Sequence, residues 1–320
     1  MNPHDEGVGR PRRAHMIMAC ALSLLVSACA FVRLRERGLE RKLRRHDLAA
    51  ESVELGPHRV YRWRSEGDGR PVLFLHGFGP PAIWQWHPQV DPVAGCRPII
   101  MPDLLGFGGS TTSASLSFPS QVDALLRLLD AEGVGEVDVV GVSYGGMVAM
   151  ELALRAPQRV HSLVLVSSPG RAFDPADQVP LVRSYGVDGM DDLLLPRDAV
   201  QVRRLLHLAY HRPPRVPRWL LGEVQRALYR QRRPEKEQIL AQIPIDYAQV
   251  AEQPWELQVP TLVVWGAEDR VFPLDSGVRL ATTADEVTRL VVIEDAGHVP
   301  NLERKGVFNR ELLAFLGCRP

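Results

Sequence analysis

Three side chains in this sequence, Ser143, Asp269 and His298, are the types that together perform acyl transfer. A serine hydroxyl is a poor nucleophile at neutral pH. An imidazole within hydrogen-bond reach takes its proton as it attacks, and a carboxylate fixes the tautomer of that imidazole and stabilises the imidazolium that forms. Ser143 stands in GVSYG, with Gly141 and Gly145 two positions to either side. A valine-rich run, 137–142, precedes it, and a helical pattern through Met147, Met150 and Leu152 follows. The serine thus sits at a sharp strand-to-helix turn. Side chains at 141 and 145 would clash there, so both are glycine. The turn lifts Oγ clear of the sheet. It also puts the Tyr144 N–H at a helix N-terminus, where it can donate to a developing oxyanion. An ordinary tight connection explains GxSxG equally well when it stands alone, so the partners elsewhere must decide.

Those partners also follow apolar runs. Residues 261–265 (TLVVW) lead into GAEDRVFP, which carries Asp269, and 290–293 lead into EDAGH, which carries His298. Residues 71–75 (PVLFL) end at His76-Gly77-Phe78-Gly79. That glycine-rich loop allows close backbone approach, and the Phe78 N–H is the expected second oxyanion donor. If these runs are parallel strands, their carboxyl ends share one edge and the three side chains converge. Residues 51–55 and 58–63 read as a hairpin about Gly56-Pro57. Residues 97–101 read as a strand and 118–132 as a helix, with 160–166 another strand. Asp103 is expected to hold amides of the 103–110 loop, a structural role. Trp84, Trp86 and His87 read as packing residues. Strands alternating with helices imply an α/β fold with a mostly parallel sheet. From 170 to 254 the alternation breaks into helical patches at 199–210 and 219–230, with prolines at 213, 214 and 217. This reads as a helical cap between two parts of one core, 51–169 and 255–320. Its stretch 203–236 carries ten basic and two acidic side chains among leucines and aromatics. Such a segment suits a membrane surface, or equally the outer faces of ordinary helices.

Composition narrows the partners. The 320 residues carry a formal net charge of zero, which does not suggest nucleic acid. The four cysteines, Cys20, Cys29, Cys96 and Cys318, form no CxxC or Cys/His cluster, so no metal site is expected. Nor do four in a chain of this length make a disulfide framework. Residues 16–32 are seventeen uncharged residues, and residues 33–45 then carry seven basic and two acidic side chains. Two readings of residues 1–32 compete. Val26-Ser27-Ala28-Cys29 resembles a lipobox, in which Cys29 would be lipidated after signal cleavage. Alternatively the segment is a single-pass anchor, with its basic flank on the cytoplasmic side. Both tie the protein to a membrane. Residues 33–50 read as a basic linker that can rest on anionic headgroups.

The motifs HGFG (76–79), DLLGFGGS (103–110), GVSYGG (141–146), WGAEDRVFP (265–273) and DAGHVP (295–300), in this order and spacing, resemble the α/β-hydrolase superfamily. The resemblance covers about 51–317. It implies a doubly wound sheet of eight strands, mostly parallel, with a helical cap. It also implies Ser143 as nucleophile, Asp269 as acid and His298 as base, without a cofactor. Glu268 is out of position for the acid, and Asp295 reads as a turn residue. The cap run 193–221 with the N-terminal apolar segment resembles the membrane-associated monoacylglycerol lipase branch, which implies cleavage of acylglycerols, lipid-like carboxylic esters, through an acyl-enzyme on Ser143. The same triad would also serve C–C bond hydrolysis or cofactor-free perhydrolysis. A non-catalytic scaffold on the same fold is the alternative of another kind.

Overall fold

The computed structural model describes residues 31–251, 253–284 and 288–318. The expectations for the apolar segment and for Cys29 therefore lie outside the described residues, save for positions 31 and 32.

The centre of the molecule follows from four short apolar runs. These are β3 (Val72–Leu75), β6 (Val137–Val142), β7 (Val160–Val166) and β8 (Thr261–Gly266), laid side by side in parallel. Successive side chains of a strand point to opposite faces. Leu73, Leu75, Val139, Leu163, Leu165, Val263 and Trp265 accordingly enter one core. Val72, Phe74, Val140, Val142, Val164, Leu262 and Val264 enter the other. Burial on both faces is why these strands read as continuous apolar runs rather than alternating ones. Helices α3 (Phe118–Ala131), α4 (Tyr144–Arg155) and α10 (Leu274–Thr283) cover the first face. Helices α1 (31–44), α2 (Ala82–Ala94) and α12 (Lys305–Phe315) cover the second.

Strand order is β1-β2-β4-β3-β6-β7-β8-β9, with β5 (Thr111–Thr112) attached to β2. The expected hairpin is β1 (Ala49–Leu55) with β2 (His58–Arg64), its register closing at Leu55 opposite His58. Strand β2 runs antiparallel to β4 (Ile99–Pro102), whereas β9 (Thr288–Ile293) lies parallel to β8 at the far edge. The sheet is thus mostly parallel, with nine strands where eight were expected. The ninth is the two-residue β5, too short to show a hydrophobic period. From β3 the chain steps to β4 on one side and later returns to β6 on the other. This order reversal opens a crevice at the carboxyl ends of β3 and β6, where Phe78 and Ser143 follow.

Three segments differ from the sequence reading. Residues 33–50 form α1 and the start of β1 instead of a linker. Val32, Leu39, Leu43 and Leu48 are buried, the first three spaced at seven and four along one helical face. The cap contains α5 (Val179–Tyr185), α6 (Met190–Leu194), α7 (Ala199–Ala209), α8 (Arg218–Val224) and α9 (Arg233–Val250), with Pro244 inside α9; α7 and α8 fall on the two expected patches, and α5, α6 and α9 lie outside them. Polar bonds pin α9 to the core. Asp246 accepts from the Phe118 N–H at the start of α3 at 2.7 Å, and Arg232 Nε donates to Gly108 O at 2.8 Å. Finally, Cys96 and Cys318 are joined by a disulfide across 222 residues, tying the end of α2 to the end of α12. Among the described residues no helix is long and apolar enough to cross a membrane.

Candidate active site

Strand β6 ends at Val142, and the next residue turns the chain into α4. Ser143 adopts φ 52° and ψ −121°, a conformation that costs a non-glycine residue on the order of 1–3 kcal/mol. The surrounding packing enforces it. A Cβ on Gly141 would lie 2.4 Å from Gly145 O, and one on Gly145 would lie 2.4 Å from both Leu75 O and His76 O. Gly146 is equally constrained, since its Cβ would meet Ser168 at 2.5 Å. The elbow can therefore close on itself at Gly141, and press against the end of β3 at Gly145 and against Ser168 beyond β7 at Gly146, only with glycine at each position.

The three expected side chains meet although 155 residues separate the first from the last. His298 Nε2 lies 2.9 Å from Ser143 Oγ. On its other edge Nδ1 lies 2.9 Å from Asp269 Oδ2 and 3.2 Å from Oδ1. In this arrangement the serine hydroxyl donates to Nε2, and the Nδ1–H donates to the carboxylate. Asp269 is held in turn by the amides of Val271 and Phe272, at 2.8 and 3.0 Å to Oδ1. The carboxylate side chain is fully buried, and the imidazole is one tenth exposed. The N–H groups of Phe78 and Tyr144 make no hydrogen bond among the described residues, and both residues line the same cavity as Ser143 and His298. That cavity has a volume of about 740 Å³. Its floor is the sheet edge, and it is lined by Met147 and Leu302 from the core and by Leu206, Leu228 and Ile243 from the cap. Among the described lining residues there is no lysine or arginine.

The alpha/beta hydrolase fold family profile matches residues 70–305, a span from β3 through the histidine loop. The chain belongs to the α/β-hydrolase fold family. Its relatives include the 2-hydroxymuconate semialdehyde hydrolase of Pseudomonas sp. (strain CF600), 32% identical over 256 residues, covering 76% of this chain and 85% of that protein. Lipase 1 of Psychrobacter immobilis is 29% identical over 266 residues, 80% of each chain. Among solved structures, a bacterial membrane phospholipase A superposes with a TM-score of 0.76 at 25% identity, covering 95% of this chain and 96% of that one.

Further residues of the hydrolase hold the loops around this triad. His76 is wholly buried and joins two of them: its Nδ1 donates to Gly77 O at 2.7 Å, and its Nε2 accepts from the Leu104 N–H at 2.9 Å. Burial pushes its pKa down to about 4, so the ring is neutral in the fold. The Gly77 carbonyl and the Phe78 N–H belong to one trans peptide and point in opposite directions. Drawing the carbonyl toward His76 therefore turns the Phe78 N–H the other way. The sequence reading passed over His76, although its position directly after β3 was the available signal. Asp103 holds the Ala82 N–H, at the start of α2, and the Gly109 N–H at 2.9 and 3.0 Å. Burial raises its pKa to about 6. Glu268 stays off the histidine and accepts from the Ala296 N–H at 2.9 Å, joining the loops that carry Asp269 and His298. Asp295 has φ 56°, a turn conformation, and pairs with Arg212 at 2.8 Å. His87 packs on α2 with its Nδ1 3.2 Å from Trp84 O, outside the site.

Proposed function

We propose that this hydrolase is a membrane-tethered serine ester hydrolase acting on lipid-like carboxylic esters. The observation that carries the reading is the unbroken line from Ser143 Oγ through the His298 ring to Asp269, lying beside an apolar cavity. His298 takes the serine proton as Oγ attacks the ester carbonyl. The oxyanion forms against the N–H groups of Phe78 and Tyr144, each worth roughly 2.7–4 kcal/mol in comparable sites. His298 then protonates the departing alcohol. Water, activated by the same imidazole, releases the acid from Ser143. Asp269 keeps the Nδ1–H in place throughout.

Relatives point to a second chemistry, C–C bond hydrolysis, since one acts on 2-hydroxymuconate semialdehyde and another is named for 2-hydroxy-6-oxo-2,4-heptadienoate. A dienoate brings a carboxylate into the cavity. The absence of lysine and arginine among the described lining residues favours an uncharged acyl chain there instead. A p-nitrophenyl ester series from acetate to palmitate, run beside a 2-hydroxy-6-oxodienoate, tests the choice. Preference for medium or long chains supports the lipid reading. Preference for acetate, or faster turnover of the dienoate, overturns it.

The tether reading rests on residues 16–32 and Cys29, with two supporting features. Phe31 and Leu34 are exposed at the start of α1, and Phe31 meets the exposed Trp219 of the cap edge-on at 6.0 Å. The Cys96–Cys318 bond suits an oxidising compartment, which favours the lipidated form over an anchor with its basic flank in the cytoplasm. Metabolic palmitate labelling of the full chain and of Cys29→Ser tests this. A label that survives the substitution, or none at all, overturns it.

A further inference from the structure

The end of α7 and the turn after it, residues 207–212, lie across the loops that carry the acid and the base. The His298 N–H donates to Ala209 O at 2.8 Å. Arg270, the neighbour of Asp269, donates through Nη1 to His207 O at 2.7 Å. Arg212 Nη2 reaches Asp295 at 2.8 Å. Glu303, at the end of α11 (Pro300–Glu303), is the node between them. Its carboxylate accepts from the Gly297 N–H at 2.9 Å and from the cap amides of His211 and Arg212 at 3.0 and 2.5 Å. Gly297 immediately precedes the catalytic histidine. The cap backbone lies so close that a Cβ at 297 would stand 2.7 Å from His211 N and 2.8 Å from Ala209 O. Glycine at this position is thus set by the approach of the cap.

We propose that Glu303 is a positioning residue that couples the seating of the cap to the placement of His298. Three backbone amides, one from the base loop and two from the cap, share its single carboxylate. Glutamine at 303 keeps one acceptor oxygen and turns its NH2 either against the Arg212 N–H or against the Gly297 and His211 N–H groups, so the cap turn and the residue before His298 are no longer held together. The imidazole must stay within hydrogen-bond reach of Ser143 Oγ, and a misplacement of about 1 Å costs on the order of 100-fold in rate. The proposal rests on reading His298 as the base of Ser143.

Glu303→Gln and Glu303→Asp in the full chain test it. The readouts are the labelling rate with diisopropyl fluorophosphate, which is too small to need the cap, and kcat and KM on p-nitrophenyl butyrate. Melting temperature and amide hydrogen exchange of the peptide containing Gly297 and His298 complete the set. In Glu303→Gln, labelling and kcat are expected to fall about 10- to 100-fold, with KM and melting temperature little changed and exchange at 297–298 faster. Glu303→Asp, which keeps the charge at shorter reach, should recover part of each. Unchanged labelling with only KM for long esters altered would overturn the proposal, as would activity falling only in step with melting temperature. If Glu303→Gln does not fold, Glu303→Asp carries the same test, and wild-type labelling and exchange overturn it. If the wild type itself is not labelled, the nucleophile reading fails. Exchange at 297–298 then decides the coupling alone, and unaltered protection contradicts it.

Discussion

Replacing His76 by phenylalanine keeps an aromatic ring, somewhat larger than the imidazole, but removes both of its hydrogen bonds. The Gly77 carbonyl and the Leu104 N–H, both buried, are then left without the partners they have at 2.7 and 2.9 Å. At roughly 1–3 kcal/mol per buried group left unpaired, stability should fall by roughly 2–6 kcal/mol. Catalysis should suffer separately, because the Gly77–Phe78 peptide is no longer held with its N–H toward the reacting carbonyl. Complete loss of one oxyanion donor costs roughly 2.7–4 kcal/mol, so a misdirected donor should lower kcat about 10- to 100-fold. There is also a pH signature. The folded protein holds His76 near 4 by burial, against 6.5 in the unfolded chain. Between these values the unfolded chain takes up a proton that the folded one refuses, so wild-type stability falls as pH drops from 6.5 to about 4. The contribution is on the order of 3 kcal/mol. Asp103 works in the opposite sense over part of this window. Burial raises its pKa to about 6, so the folded state is protonated first and gains stability as pH falls. Asp103 is common to both proteins, and its effect cancels in the comparison. The stability gap between wild type and His76→Phe should therefore narrow on acidification. Urea unfolding at neutral pH and near pH 4.5, with kcat on p-nitrophenyl butyrate, measures both parts. A kcat within about threefold of wild type, or a gap that does not narrow, would refute the role given to His76.

Three other variants follow from the same structure. Asp269→Asn keeps the size of the side chain but disfavours the tautomer that leaves Nε2 free, and kcat is expected to fall about 10⁴-fold with little change in KM; steady-state kinetics read this directly. Gly145→Ala places a Cβ 2.4 Å from two carbonyl oxygens of the β3 end. It should yield protein that is either insoluble or devoid of esterase activity, checked by soluble yield and turnover, and near-normal activity would contradict the packing described. Cys96→Ala with Cys318→Ala removes the cross-link over 222 residues and should cost roughly 2–5 kcal/mol without changing kcat. Wild-type protein should lose the same stability under reductant, as thermal melts would show.

The parts of this site visible in the sequence were those whose chemistry imposes a local pattern. Gly141 and Gly145 flank Ser143 because the elbow presses on backbone atoms 2.4 Å from any added carbon. Asp269 is legible because the fully buried strand β8 leaves an apolar run that ends where its loop begins, and His298 because the half-exposed edge strand β9 still carries the apolar run 290–293 before its loop. The rest depends on contacts distant in sequence. Helix α9 was hidden by Pro244 and by the lack of a clear apolar face. The buried stripe of α1 was obscured by the arginines around it. Glu303 and His76 act on backbone amides and carbonyls, which carry no residue signature. The Cys96–Cys318 bond joins elements that only the folded sheet brings together.

The acyl-enzyme itself offers the most direct test. Mixing the full chain with a p-nitrophenyl ester in a rapid acid quench, followed by intact-mass and peptide mass analysis, should show a burst of nitrophenol. One acyl group should appear on the peptide that contains Ser143, and both should vanish in Ser143→Ala. Ester hydrolysis that continues in Ser143→Ala, or an acyl group on any other residue, would contradict the assignment of Ser143 as the nucleophile.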